Sequence, residues 1–154
     1  YVRTQNINGP KEEYAARYST VRSKSFDIYV PFIERGLEWL TDEGSLAYIC
    51  PNRLLTNEYA EDIRERLVDE PLDTIIDFKD VEVFDAATPY PCIFTVNREY
   101  VPNEDAVRCA MVFSKRSTEP TSGRLPKEMS MISSPTRVTD CWKITKIATC
   151  QVGR

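Results

Sequence analysis

Ile28, Phe32, Ile33, Leu37 and Leu40 recur at three- and four-residue spacing. That is the stripe of a helix with one buried face. Pro31 falls near the first turn, where a missing N–H costs little. Ser25 or Asp27 is placed to cap the start, and Gly44 follows the end. Immediately afterwards Ser45 to Cys50 forms a short apolar run stopped by Pro51, the pattern of a buried strand. A helix feeding directly into a buried strand is the building step of an α/β sheet.

The pattern continues downstream. Leu54 and Leu55 lead into a helix over roughly Glu58 to Val68, with Tyr59, Ile63 and Leu67 four residues apart and a charged opposite face. Pro71 closes it. Leu72 to Phe78 reads as a second strand. Val81 to Phe84 leads into a loop, Asp85 to Pro91, and Cys92 to Val96 is a third strand. This order is the tail of an α/β domain with a final hairpin-like pair. Beyond Pro102 the pattern weakens. Arg108 to Phe113 fits one more strand, Ser117 to Ser134 has linker composition, and Trp142 to Ile147 fits the start of another element. Residues 1–24 are polar, broken by Asn8-Gly9-Pro10, with one helical turn expected around Glu12 to Tyr18.

Composition removes several chemistries. The chain has no histidine among its 154 residues, which excludes Ser-His-Asp and Cys-His nucleophilic catalysis. Five cysteines without a C-x-x-C pair argue against a zinc site or a disulfide framework and for free thiols in a reducing cytoplasm; no metal is expected. The longest apolar runs are far below the roughly 20 residues of a membrane span. No basic segment followed by an apolar one opens the chain, so no signal peptide is expected. The net charge is -4, but it is unevenly spread. Residues 1–24 carry a net +3, residues 108–154 a net +6, and the middle a net -13. Basic ends flanking an acidic body are compatible with DNA lying across the ends, and equally with plain solvated charge. Neither G-x-G-x-x-G nor a P-loop occurs, so the nucleotide-cradling turn that normally opens such a domain is absent.

Three segments together resemble the adenine-amino DNA methyltransferases of type II restriction–modification systems. Tyr1-Val2-Arg3 is similar to the end of the family's Asn/Asp-Pro-Pro-Tyr motif. Ser25-Phe26-Asp27-Ile28-Tyr29-Val30-Pro31-Phe32-Ile33-Glu34, continuing as Gly44-Ser45-Leu46-Ala47-Tyr48-Ile49-Cys50-Pro51-Asn52-Arg53-Leu54-Leu55, resembles its "D-x-Y-x-x-F-[IL]-E" helix and the following "G-x-L-x-[YF]-I-x-P-[NS]-x-[FL]-L" strand. Val83-Phe84-Asp85-Ala86-Ala87-Thr88-Pro89-Tyr90-Pro91-Cys92-Ile93 is similar to its "V-F-x-x-A-x-x-Y-[PT]-C-I" segment. The resemblance covers about residues 1–98. The donor-binding Asp/Glu-x-x-x-Gly-x-Gly motif, its acidic ribose partner and the Asn/Asp-Pro-Pro are missing.

The resemblance implies the C-terminal portion of a Rossmann-like S-adenosylmethionine-dependent methyltransferase sheet, incomplete in this chain. Residues 1–100 would be the C-terminal part of the catalytic domain, and 101–154 a linker and the start of a target-recognition region. The implied reaction moves a methyl group from S-adenosylmethionine to the exocyclic amine of an adenine flipped out of double-stranded DNA. A nuclease subunit or domain is a further implied partner. The isolated chain, lacking the donor motif, is expected to be inactive.

Residue by residue, Tyr1 would be the motif's catalytic aromatic, stacking on the flipped adenine. Phe84 would contact the same base from the other side, with Tyr90 the competing candidate. Phe32 would flank the donor's adenine, with a helix-core role the alternative. Asn52, at a strand end where α/β ligands gather, would also serve the donor, or only the turn. Arg17, Arg22 and Lys24 would meet DNA phosphates. Two other readings stay open: a non-catalytic DNA-binding remnant, and part of a fused restriction endonuclease–methyltransferase.

Overall fold

The computed structural model describes residues 6, 11–22, 26–79, 81, 83–84, 90–99, 106–112 and 132–137, with only the backbone for 106 and 132–137. Helix α1 (Lys11–Arg17) replaces the single expected turn. Helix α2 (Tyr29–Trp39) follows, then β1 (Ser45–Pro51), the short α3 (Arg53–Thr56), a 3-10 turn (Glu58–Ala60), α4 (Glu61–Val68) and β2 (Leu72–Asp77). Strand β3 spans Pro91–Asn97, β4 Ala106–Met111 and β5 Ile132–Arg137.

These five strands form one mixed sheet in the order β1-β3-β2-β4-β5. Strand β3 runs antiparallel to both β1 and β2, which it separates; β2 and β4 are parallel, and β5 is antiparallel to β4. Strands β1, β2 and β4 therefore share one direction and present their carboxyl ends on one edge of the sheet. The expected hairpin-like pair is present as β2 and β3, and β3 also wedges between β2 and β1. Strand β4 begins two residues earlier than its apolar pattern suggests, and β5 takes in the end of the stretch with linker composition.

Alternation along the strands places the core. Leu46, Tyr48 and Cys50 lie opposite Val96, Phe94 and Cys92, and Phe94 and Val96 are fully buried. The Tyr48 and Phe94 rings stack at 5.9 Å. Against this face pack Val30, Ile33 and Leu37 of α2 and Ile63 and Leu67 of α4, all at most 1% exposed. The opposite face carries the row Ile49, Ile93, Ile76 and Ala110; Ile49 on it is 51% exposed.

Polar groups fix the helices to this core. The buried Glu34 carboxylate accepts the backbone N–H groups of Ser19 and Thr20 at 2.8 and 3.0 Å, and both hydroxyls. Burial alone would raise its pKa, but these donors outweigh burial and lower it. Arg98 donates to the Leu37 and Leu40 carbonyls at the end of α2 and to Glu70 at 2.8 and 3.0 Å, placing a cation where the helix dipole is negative. The start of α2 departs from expectation. Ile28 occupies the cap position and no side chain caps it. Asp27 instead accepts a 2.5 Å bond from the Tyr59 hydroxyl, which lies 2.9 Å from that of Tyr29. Burial and the Asp27 bond push the Tyr59 phenol up to about 12.

Cys50 and Cys92 are free and buried, with sulfurs 3.6 Å apart. Cys50 and Cys92 fit the expectation of buried or free thiols, and Cys109, which is disulfide-bonded, departs from it. No helix among the described residues is long and apolar enough to cross a membrane, and no metal-ligand cluster occurs among them.

Candidate functional site

The carboxyl edge gathers the polar groups. Strand β1 ends at Pro51 and hands over to Asn52, β2 ends at Asp77, and β3 enters at Pro91, paired with Pro51. Asn52 N donates to the Tyr90 carbonyl at 2.8 Å, and Phe78 N to the Pro91 carbonyl at 3.2 Å. The Asn52 side-chain Nδ2 reaches Asp77 Oδ1 at 3.2 Å and the Lys79 carbonyl at 3.4 Å. Asp77, 2% exposed, also accepts the Lys79 backbone N–H at 2.9 Å and pairs with Lys79 Nζ at 2.8 Å. Lys79 has φ 47° and is the described non-glycine residue with positive φ. Its backbone turns left-handed within the Asp77 side-chain turn, a geometry that aspartate favours.

Two aromatic side chains in the sequence after Asp77 are solvent-facing. Phe84 is 50% exposed and Tyr90 41% exposed. Neither is a core residue. Tyr90 is tied to Asn52 through its carbonyl, so this pair of predicted residues is brought together. Tyr1 and Lys24 lie outside the described residues, so the expected pairing of Tyr1 with Phe84 lies there too.

Phe32 is 60% exposed, although its spacing with Ile33 and Leu37 places it on an apolar stripe; the helix-core alternative is thereby corrected. It borders a cavity of about 310 Å³ with Tyr18, Arg35, Trp39 and Tyr48. The Phe32 carbonyl accepts the Tyr48 hydroxyl at 2.9 Å. Arg35 stacks over both the Tyr18 and Trp39 rings, at 5.4 and 5.8 Å. Arg17 is exposed near the end of α1, 5.9 Å from the Tyr18 ring. Arg22 is paired with Asp62 at 3.4 Å and remains 76% exposed.

Sequence reasoning missed Asp77 and Lys79, and it missed Arg35 and Trp39 beside Phe32. For Asp77 the available signal was an acid closing a β-rich run at a position that alternation assigns to the buried face. An acid there demands partners, and a lysine two residues on is a ready one.

Comparison with known proteins gives this edge its context. The chain is 36% identical over 102 residues to the type II methyltransferase M.PaeR7I of Pseudomonas aeruginosa, covering 64% of this chain and 18% of that protein. It is 33% identical over 99 residues to M.BstVI of Geobacillus stearothermophilus, covering 62% of this chain and 18% of that protein. It is 34% identical over 104 residues to the type II restriction enzyme and methyltransferase RM.Eco57I of Escherichia coli, covering 64% and 10%. The chain thus spans less than a fifth of the length of each of these relatives. The fold matches the type IIG restriction endonuclease BpuSI with a TM-score of 0.54 at 14% identity, over 86% of this chain and 16% of that one. The model of the Eco57I restriction-modification methylases matches residues 1–84, and with that match the chain belongs to the Eco57I restriction-modification methylase family of type II methyltransferases.

Proposed function

We propose that the chain is the base-gripping part of a site-specific DNA methyltransferase acting on the exocyclic amine of adenine. The observation that carries this reading is the exposure of two rings, Phe84 and Tyr90, of which Tyr90 is tied through its carbonyl to Asn52 at the carboxyl edge of the sheet. A half-exposed phenylalanine leaves half its apolar surface in water in the free protein. Against an extruded base it offers a stacking surface worth about 1–3 kcal/mol. The exocyclic nitrogen of adenine is conjugated with its ring and is a poor nucleophile, so the base must be held out of the stack and fixed in place. Phe84 performs that holding, with Tyr90 as the competing candidate, and Tyr1 is the opposing ring.

Phe32 fits a second flat purine. An exposed ring on the outer side of α2, beside a cavity bordered by Tyr18, Arg35 and Trp39, has the aromatic lining for the adenine of S-adenosylmethionine. The bound donor supplies the methyl group. Phe32 orients it, and the remaining donor contacts belong to motifs this sequence lacks. Arg17, Arg22 and Lys24 meet DNA phosphates. The relative whose name joins a restriction enzyme to a methyltransferase favours a nuclease domain in the same polypeptide as a second reading.

The test is transfer of radiolabelled methyl from S-adenosylmethionine to unmodified DNA by the encoded polypeptide, followed by digestion to nucleosides. Label is expected in N6-methyladenine, and DNA binding should weaken steeply with added salt. Label in cytosine, or binding insensitive to salt, would overturn the reading. Calorimetric titration of the 154-residue chain with the donor should show no binding; clear binding would contradict the expected inactivity of the isolated chain.

A further inference from the structure

We propose that Asp77 is a positioning residue whose buried carboxylate latches together the two ends of the segment that carries Phe84. The inference rests on the reading of Phe84 as the base-stacking ring. Phe84 lies in sequence between Lys79 and Tyr90, and both of these are tied to one residue, Asn52. Tyr90 accepts the Asn52 backbone N–H at 2.8 Å, and the Lys79 carbonyl accepts the Asn52 side chain at 3.4 Å. Asp77 sits at the junction. Its Oδ1 takes Asn52 Nδ2 at 3.2 Å and Lys79 N at 2.9 Å, and its Oδ2 takes Lys79 Nζ at 2.8 Å.

Three features separate this latch from an ordinary surface ion pair. The side chains are 3% exposed for Asp77 and 12% for Lys79, so solvent screens the pair little. Lys79 holds a left-handed backbone at φ 47°, which a side-chain-bearing residue keeps only where its surroundings fix it. The Asp77 carbonyl is itself pinned by Val112 N at 2.8 Å, so the carboxylate stands on a rigid strand end rather than on a loop. A ring that must meet an extruded base gains from such support, because a misplacement of about 1 Å can cost around a hundredfold in rate.

The experiment compares the encoded polypeptide with D77N, K79M, K79R and F84A. The DNA carries 2-aminopurine in place of the methylated adenine, and its fluorescence rises on unstacking. D77N keeps the side-chain volume and one acceptor oxygen but loses the charge that holds Lys79 Nζ. We expect D77N and K79M to lower kcat about tenfold or more, with KM for DNA changed less than about threefold. The 2-aminopurine signal should fall toward that of F84A, and K79R should restore much of both. Melting curves establish the folded fraction of each variant. If D77N and K79M melt lower but show wild-type kcat and fluorescence per folded molecule, the role is structural only and the proposal fails. If the unsubstituted protein and F84A give equal fluorescence, the base-stacking reading fails and takes this inference with it. Should D77N not fold, N52A tests the same latch, with the same outcomes deciding.

Discussion

Single side chains divide here into those that hold the fold and those that the fold holds out. Phe84 belongs to the second group. Half-exposed and not among the buried core residues, it should be removable with little loss of stability. Phe84→Ala is expected to leave the melting temperature within a few degrees while weakening binding of target DNA roughly 5- to 150-fold, the equivalent of about 1–3 kcal/mol; gel-shift titration beside a thermal melt reads both. Glu34 belongs to the first group. It is 2% exposed and receives four hydrogen bonds from Ser19 and Thr20. Glu34→Gln keeps the shape but weakens charge-assisted bonds, so a loss of about 2–3 kcal/mol is expected in urea unfolding. The pH dependence follows from the same contacts. Burial raises the Glu34 pKa, the donors lower it by more, and the net folded value lies below the unfolded one. Its contribution is therefore complete above the unfolded value near 4.3 and is lost as pH falls through the folded value. Urea midpoints measured from about pH 5 down to pH 3 should fall steeply for the wild type and less so for Glu34→Gln.

Between elements, α2 packs closely against β1 at Gly36. A Cβ on Gly36 would stand 2.9 Å from the Tyr48 hydroxyl, 3.1 Å from its ring and 3.3 Å from Leu46. Tyr48 has little room to yield, since its ring stacks on Phe94 and its hydroxyl bonds the Phe32 carbonyl. Alanine would normally stabilise a helix interior relative to glycine by up to about 1 kcal/mol. Here Gly36→Ala is expected to lower the melting temperature instead, because overpacking costs about 1–3 kcal/mol. A rise in melting temperature would show that the seam relaxes freely. The same contact explains how α2 sets the level of Phe32 above the sheet: the helix can approach β1 only where it has no side chain.

At the scale of the molecule, one face of the sheet is covered by α2 and α4 while the other shows Ile49 in a row with Ile93 and Ile76. Strand β1 also forms an edge of the described sheet. An apolar face beside an open edge invites association. The 154-residue chain is expected to self-associate at micromolar concentration in light scattering, and Ile49→Lys to reduce that association; a monodisperse monomer would count against it. Much of this molecule was legible in advance, because local pattern carries it. The helix over Ile28 to Leu40, the strand stopped by Pro51 and the β-branched third strand each follow from spacing and breakers that act over a few residues. The family was legible too, since its motifs are contiguous. Phe32 shows where local pattern misleads. Its spacing fits the stripe, but only the packing of α2 on β1 decides which side of the stripe meets the sheet. Asp77 and Lys79 show a different gap. They lie 25 and 27 residues from Asn52, and nothing local says that β3 will slide between β1 and β2 and set their ends side by side. Periodicity determined which residues form helices and strands, because hydrogen bonding and burial within an element repeat along the chain. The order of the strands, and with it the latch at their carboxyl edge, was decided only by tertiary packing, because which strand ends meet depends on long-range pairing.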